Sequence, residues 1–184
     1  MRHLPHFVIV IAIVVSVPST AQTITVPNAP SLVEQKIAKY KIAIEVPKTW
    51  RSIQALGNEV LVRKGKLHGI ESTCIIRLTS IAELQKSTPQ DFVNSMSKAK
   101  FLEAASISGS KPEVHVFDTA LLGGVVARRI VHTQPFNGVP LTYISHQALR
   151  GPDIFTVSCY ARQGEFKELM GTFGMIIGTT RFLP

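Results

Sequence analysis

An α+β fold built on an antiparallel sheet follows from three features of this 184-residue chain. Several segments alternate apolar with polar or small residues at a period of two, the mark of half-buried strands. Two others, one in the middle of the chain and one near its end, repeat apolar residues at helical spacing. Asn137-Gly138 and Arg150-Gly151-Pro152-Asp153 are tight-turn sequences that join three consecutive strand-like segments, and strands joined so closely form an antiparallel meander.

Taken from the start, Arg2, His3 and His6 surround the entry to an unbroken apolar run from Phe7 to Val15, followed by Pro18 and the small residues Ser19-Thr20-Ala21. That order predicts a secretory signal peptide over residues 1–21, cleaved after Ala21. The run is too short for a membrane span, which needs about 20 residues, and no cysteine adjoins the cleavage point to carry a lipid. Residues 22–37, with Pro27 and Pro30, read as a loose leader, and 38–184 as one domain large enough for a sizeable core. The expected compartment is the periplasm, with secretion beyond it as the alternative.

Strands are expected over about 40–46, 59–64 and 72–79, with Pro47 ending the first and Trp50 one turn later as a core plug or an aromatic platform. Gly65 to Gly69 reads as a loop with glycine at both ends. Thr88-Pro89-Gln90-Asp91 is a helix start, with threonine to cap, proline at the first position and Asp91 to reach back. Its apolar spacing carries the helix to about Lys100 or Glu103, and Ser106 to Lys111 is a loop. Strands follow over about 113–119, 124–133 and 139–149, then the strand containing Cys159. Phe166, Leu169, Met170, Phe173, Ile176 and Ile177 mark one side of a C-terminal helix. Gly171, Gly174 and Gly178 on that helix imply a close approach to the sheet, and Thr179 to Phe182 forms a closing strand.

Cys74 and Cys159 are the two cysteines, and each alternates in phase with the apolar residues of its strand. An even count in an exported chain favours a disulfide between them. Two separate buried thiols are the alternative. Neither belongs to a Cys-x-x-Cys redox pair.

The formal net charge is +8, of which the signal peptide holds one unit at Arg2. Residues 36–66 carry Lys36, Lys39, Lys41, Lys48, Arg51, Arg63, Lys64 and Lys66 against Glu45 and Glu59 alone. Such a local excess attracts anionic partners, and these eight residues form the candidate partner surface. Its sharpest part is the loop from Arg63 to His68, which is expected to place three cations on a flexible hairpin end, where binding residues commonly sit. An acidic protein patch, lipid headgroups or an acidic polysaccharide would suit it. A solvated surface that only keeps the protein soluble is the alternative.

Enzyme signatures are missing. There is no Gly-x-Ser-x-Gly elbow, no phosphate-binding glycine loop and no paired-histidine metal motif. Ser145 and His146 are neighbours on a strand and project to opposite faces. If the Asn137-Gly138 hairpin closes with an even loop, His132 and His146 also point apart and cannot share a metal. Nucleic-acid binding would need exposed aromatics among the cations, and the basic segment offers just Tyr40 and Trp50. The sequence thus points to a non-catalytic domain without a cofactor, serving as a binding or scaffolding module for an anionic partner. The alternatives are an enzyme with a cleft between helix and sheet, or a structural envelope protein.

Ile44-Glu45-Val46-Pro47-Lys48-Thr49-Trp50, Leu122-Gly123-Gly124, the strand Asp153 to Cys159 and Ile177-Gly178-Thr179-Thr180-Arg181-Phe182 recur in this order along nearly the whole mature chain. In this the sequence resembles the PsbP-like superfamily, which includes the photosystem II extrinsic PsbP subunit and the Ran-binding Mog protein. The resemblance implies an antiparallel sheet of about six strands with helices packed on both faces, and an accessory binding role.

Overall fold

The computed structural model describes residues 30–106 and 111–184. The expected signal peptide, the first part of the expected leader and most of the expected loop after Ser106 lie outside the described residues.

The elements in chain order are β1 (Leu32–Ile37), β2 (Ile42–Pro47), β3 (Arg51–Ser52), β4 (Glu59–Leu67), β5 (Ile70–Ser80), α1 (Pro89–Ser95), α2 (Lys98–Ser106), β6 (Glu113–Leu122), β7 (Val125–Phe136), β8 (Val139–Arg150), β9 (Asp153–Arg162), α3 (Gln163–Gly178) and β10 (Arg181–Phe182). A seven-stranded antiparallel sheet has the order β3-β4-β5-β9-β8-β7-β6, and a separate three-stranded sheet has the order β1-β2-β10.

Turn chemistry fixes the register. Asn137 and Gly138 both take positive φ, 50° and 77°, in a two-residue connection that pairs Phe136 with Val139. This is the loop whose twist suits a hairpin. Being even, it sets His132 opposite Tyr143 and Arg129 opposite His146, so the two histidines do point to opposite faces. Gly123 and Gly124 make the same kind of turn between β6 and β7, and Gly123 lies directly against the Phe182 ring.

The main core lies between the seven-stranded sheet and a second layer made of α3 and the small sheet. Phe166, Leu169, Phe173, Ile176 and Ile177 of α3 pack on Ile76, Ala148, Phe155 and Val157, and Ile42, Ile44 and Val46 of β2 close the same cluster. Full burial of one such large apolar side chain contributes about 1.5–3 kcal/mol. Cys74 and Cys159 sit directly opposite each other in β5 and β9, both buried under this layer, and are joined by a disulfide. Arg150 ties down the end of the chain, with its guanidinium over the Phe182 ring and its Nη2 donating to the Leu183 carbonyl at 2.9 Å.

Several expectations are corrected. The main sheet has seven strands, more than about six, and the closing strand β10 joins the small sheet through β2. The expected packing of helices on both faces does not extend over the sheet. The long helix covers one face, whereas α1 rests on Val126, Leu149 and Ile154 at one end of the other. The capping box at Thr88 and Asp91 forms, but the helix it starts breaks at Met96, whose ψ is 107°. A new helix begins after Ser97, whose hydroxyl accepts from the Lys100 amide. Arg63, Lys64 and Lys66 belong to β4 and not to a loop, since the turn is only His68 and Gly69, both at positive φ. β1 lies within the stretch read as a leader, because its burial alternates too irregularly to show as a period of two. The glycines of α3 make no close approach: a Cβ at Gly171, Gly174 or Gly178 meets nothing within 4 Å.

Trp50 is a core residue, 4 % exposed, and the glycine that makes room for it is Gly65. A Cβ there would stand 2.3 Å from Trp50 Cδ1. Gly65→Ala is therefore expected to destabilise the fold by about 1–3 kcal/mol through overpacking. A urea midpoint equal to that of the wild type would show that the indole can move aside.

Candidate functional site

The face of the seven-stranded sheet turned away from α3 is a trough, with a cavity of about 820 Å³ between α2 and the tip of the β7–β8 hairpin. Its floor is set by register. One cross-strand row runs His132, Tyr143, Tyr160 and Thr73; the next runs Ile130, Ser145, Ser158 and Ile75; the third runs Arg128, Gln147, Thr156 and Arg77.

The first row is an aromatic ladder. Its ring centroids are 5.0 Å apart from His132 to Tyr143 and 4.8 Å from Tyr143 to Tyr160, and Phe101 of α2 stands edge-on to His132 at 5.1 Å. Cross-strand contacts of this kind stiffen a sheet by a few tenths to about 1 kcal/mol each. In the second row the hydroxyls of Ser145 and Ser158 share a hydrogen bond of 2.7 Å.

Burial governs the protonation of the ladder. It pushes the His132 imidazole down to about 4, with His115 nearby adding to the effect. It raises the Tyr143 phenol to about 12, helped by Tyr160. His132 Nδ1 is buried and has no hydrogen-bond partner among the described residues. An unfolded histidine takes up its proton near pH 6.5 and the folded one only near 4, so stability is complete above about 6.5 and falls as pH drops through that window. The loss approaches about 3 kcal/mol at the acid end. Urea midpoints compared between pH 7.5 and 4.5 should show this, and His132→Phe should remove most of the slope. An unchanged slope in that variant would place the titration elsewhere.

On the opposite face His146 is also held below its ordinary value, chiefly by burial, while its Nδ1 donates to the Leu121 carbonyl at 3.2 Å. His115 bonds to Thr133, and His68 lies in the β4–β5 turn. The described residues contain no group of three or more metal-ligating side chains. None of their helices is long and apolar enough to cross a membrane.

The eight cations singled out in the sequence are divided by the fold. Arg51 pairs with Lys64 across β3 and β4, and Lys66 follows two residues on, so these three share the trough face. Lys64 makes an ion pair with Glu71 at 3.3 Å. The other five lie elsewhere. Arg63 points to the covered face and donates to Gln35 of β1. Lys36 pairs with Glu34 at 3.3 Å on the small sheet. Lys39 and Lys41 border a hollow of about 320 Å³ with Tyr40 and Arg150 at one end of the domain. Lys48 is exposed beyond β2.

Three arginines that the sequence reading passed over complete the trough face: Arg77, Arg128 and Arg162, each in phase with it along its strand. Arg77 pairs with Glu59 at 3.1 Å, and Arg128 lies over the Phe117 ring. The face thus holds six cations against the carboxylates Glu59 and Glu71. Phe136, 62 % exposed at the hairpin tip, stands beside them.

No protein-family model matches the sequence, and no curated protein does. Solved structures do. The cyanobacterial PsbP of Synechocystis sp. PCC 6803 superposes with a TM-score of 0.62 at 11 % identity, covering 86 % of this chain and 95 % of that one. The Ran-binding protein Mog1p of Saccharomyces cerevisiae gives 0.55 at 10 % identity over 84 % and 96 %. LpqN of Mycobacterium tuberculosis, involved in cell envelope biogenesis, gives 0.54 at 16 % over 85 % and 93 %. The chain is therefore an α+β protein with the PsbP-like fold shared by PsbP and Mog1p. The likeness spans nearly all of the described residues.

Proposed function

We propose that this chain is an exported, non-catalytic binding domain whose trough face engages an anionic protein or envelope component. The observation that carries the reading is the charge of that face: six cations against two carboxylates, with Lys64 and Arg77 held in ion pairs, Arg128 donating to the Val93 carbonyl of α1, and Arg51, Lys66 and Arg162 without an ion pair among the described residues. Ran binding by Mog1p and the envelope role of LpqN support a binding module on this fold, although fold alone never assigns a partner. Export is supported by the signal-peptide pattern and by the disulfide, a bond kept in oxidising compartments. The part of the basic surface on the small sheet plays no direct role in this reading.

Poly-glutamate is a suitable first probe. Binding by the mature protein should be strong at 0.1 M salt and largely lost at 1 M, where the screening length falls from about 10 Å to about 3 Å. Binding that ignores salt, or none at low salt, would overturn the electrostatic reading.

A further inference from the structure

A second groove, of about 290 Å³, adjoins the trough on the same face. Val62, Leu141 and Tyr160 are among the residues lining it, and two exposed apolar side chains border it, Ile53 of the segment after β3 and Phe136 of the hairpin tip. Phe136 lines both the groove and the trough. Lys64, Glu71 and Arg162 also line the groove; Lys64 is paired with Glu71, and Arg162 makes no ion pair among the described residues.

Resting on the binding reading above, we infer that this groove is the anchor pocket for a protein segment that inserts one large apolar side chain and flanks it with carboxylates. The volume suits one or two large side chains. The charge at the rim selects the flanks: Glu71 balances Lys64, which leaves Arg162 as the uncompensated charge, so a basic segment would be repelled there, whereas an acidic one would be steered in and held in register. A bare polyanion would satisfy the cations and leave Phe136 and Ile53 wet, so the apolar rim distinguishes a peptide from an acidic polymer. Phe136 serves as a lid on the anchor, since a side chain this exposed adds little to the core and has its contact area free.

The test is a double-mutant cycle with two labelled synthetic heptapeptides, six acidic residues around a central phenylalanine or a central serine. Fluorescence anisotropy reads both against the wild type and Phe136→Ser, with poly-glutamate as a parallel probe. The phenylalanine peptide should bind wild type at least tenfold more tightly than the serine peptide. Phe136→Ser, which touches an exposed side chain and should leave the urea midpoint unchanged, should erase that difference while keeping poly-glutamate binding. Equal binding of the two peptides by wild type overturns the anchor pocket and leaves the cationic face standing. A preference that persists in Phe136→Ser overturns this placement of the pocket. Failure of both peptides while poly-glutamate binds also overturns the pocket, and failure of all three overturns the binding reading with it.

Discussion

Replacing Cys74 and Cys159 together by alanine is expected to lower the unfolding free energy by about 2–5 kcal/mol. The bond closes a sequence separation of 85 residues, and the chain-entropy model gives roughly 4 to 5 kcal/mol for constraining an unfolded chain over such a loop. The alanines also leave a small gap beneath α3, in a cluster where Phe155, Val157 and Phe173 are 0–3 % exposed, and packing defects there add to the loss. Urea unfolding of wild type and double variant measures it directly. Because both sulfurs are buried, reductant alone should leave the folded wild type oxidised and should act once urea opens the sheet. A variant with the wild-type midpoint would mean that the packed layers alone hold β5 and β9 together.

The second large effect concerns binding. Reversing Arg51, Lys64 and Lys66 to glutamate turns the β3–β4 end of the trough face from cationic to acidic. Poly-glutamate affinity should fall on the order of a hundredfold at 0.1 M salt, through lost attraction and new repulsion. Stability should change little, since these are surface side chains whose ion pairs are worth about 0–1 kcal/mol. Lys64→Glu also places a carboxylate beside Glu71, so part of the effect would come from that contact.

The sequence made much of this architecture legible because the strongest signals are local. Asn137-Gly138 fixes the β7–β8 register by its demand for positive φ, and the phase of Cys74 and Cys159 places both sulfurs on one face. The Thr88 capping box needs just four residues to declare itself. What the sequence hid is decided by packing between distant segments. The assignment of β10 to β2, and of Trp50 to the space over Gly65, leaves no periodic trace. The outward-facing glycines of α3 misled for the same reason, since spacing gives a helix face but not what lies opposite it.

The composition of the proposed surface was half legible. Net charge along residues 36–66 picked out Arg51, Lys64 and Lys66, but a linear window cannot know that Arg63 faces inward or that Lys36 joins the small sheet. Arg162 and Tyr160 were within reach, because counting by twos from Thr156 and Ser158 puts them on the same face. Phe136 needed the structure, since its importance comes from lying beside two grooves at once.

The most direct measurement compares two charge-matched triple variants for poly-glutamate binding at 0.1 M salt. One carries Arg51→Glu, Lys64→Glu and Lys66→Glu on the trough face; the other carries Lys36→Glu, Lys39→Glu and Lys48→Glu, away from it. Loss of affinity in the first with near wild-type binding in the second is the expected result. Equal loss in both would contradict a defined face and reduce the interaction to net charge.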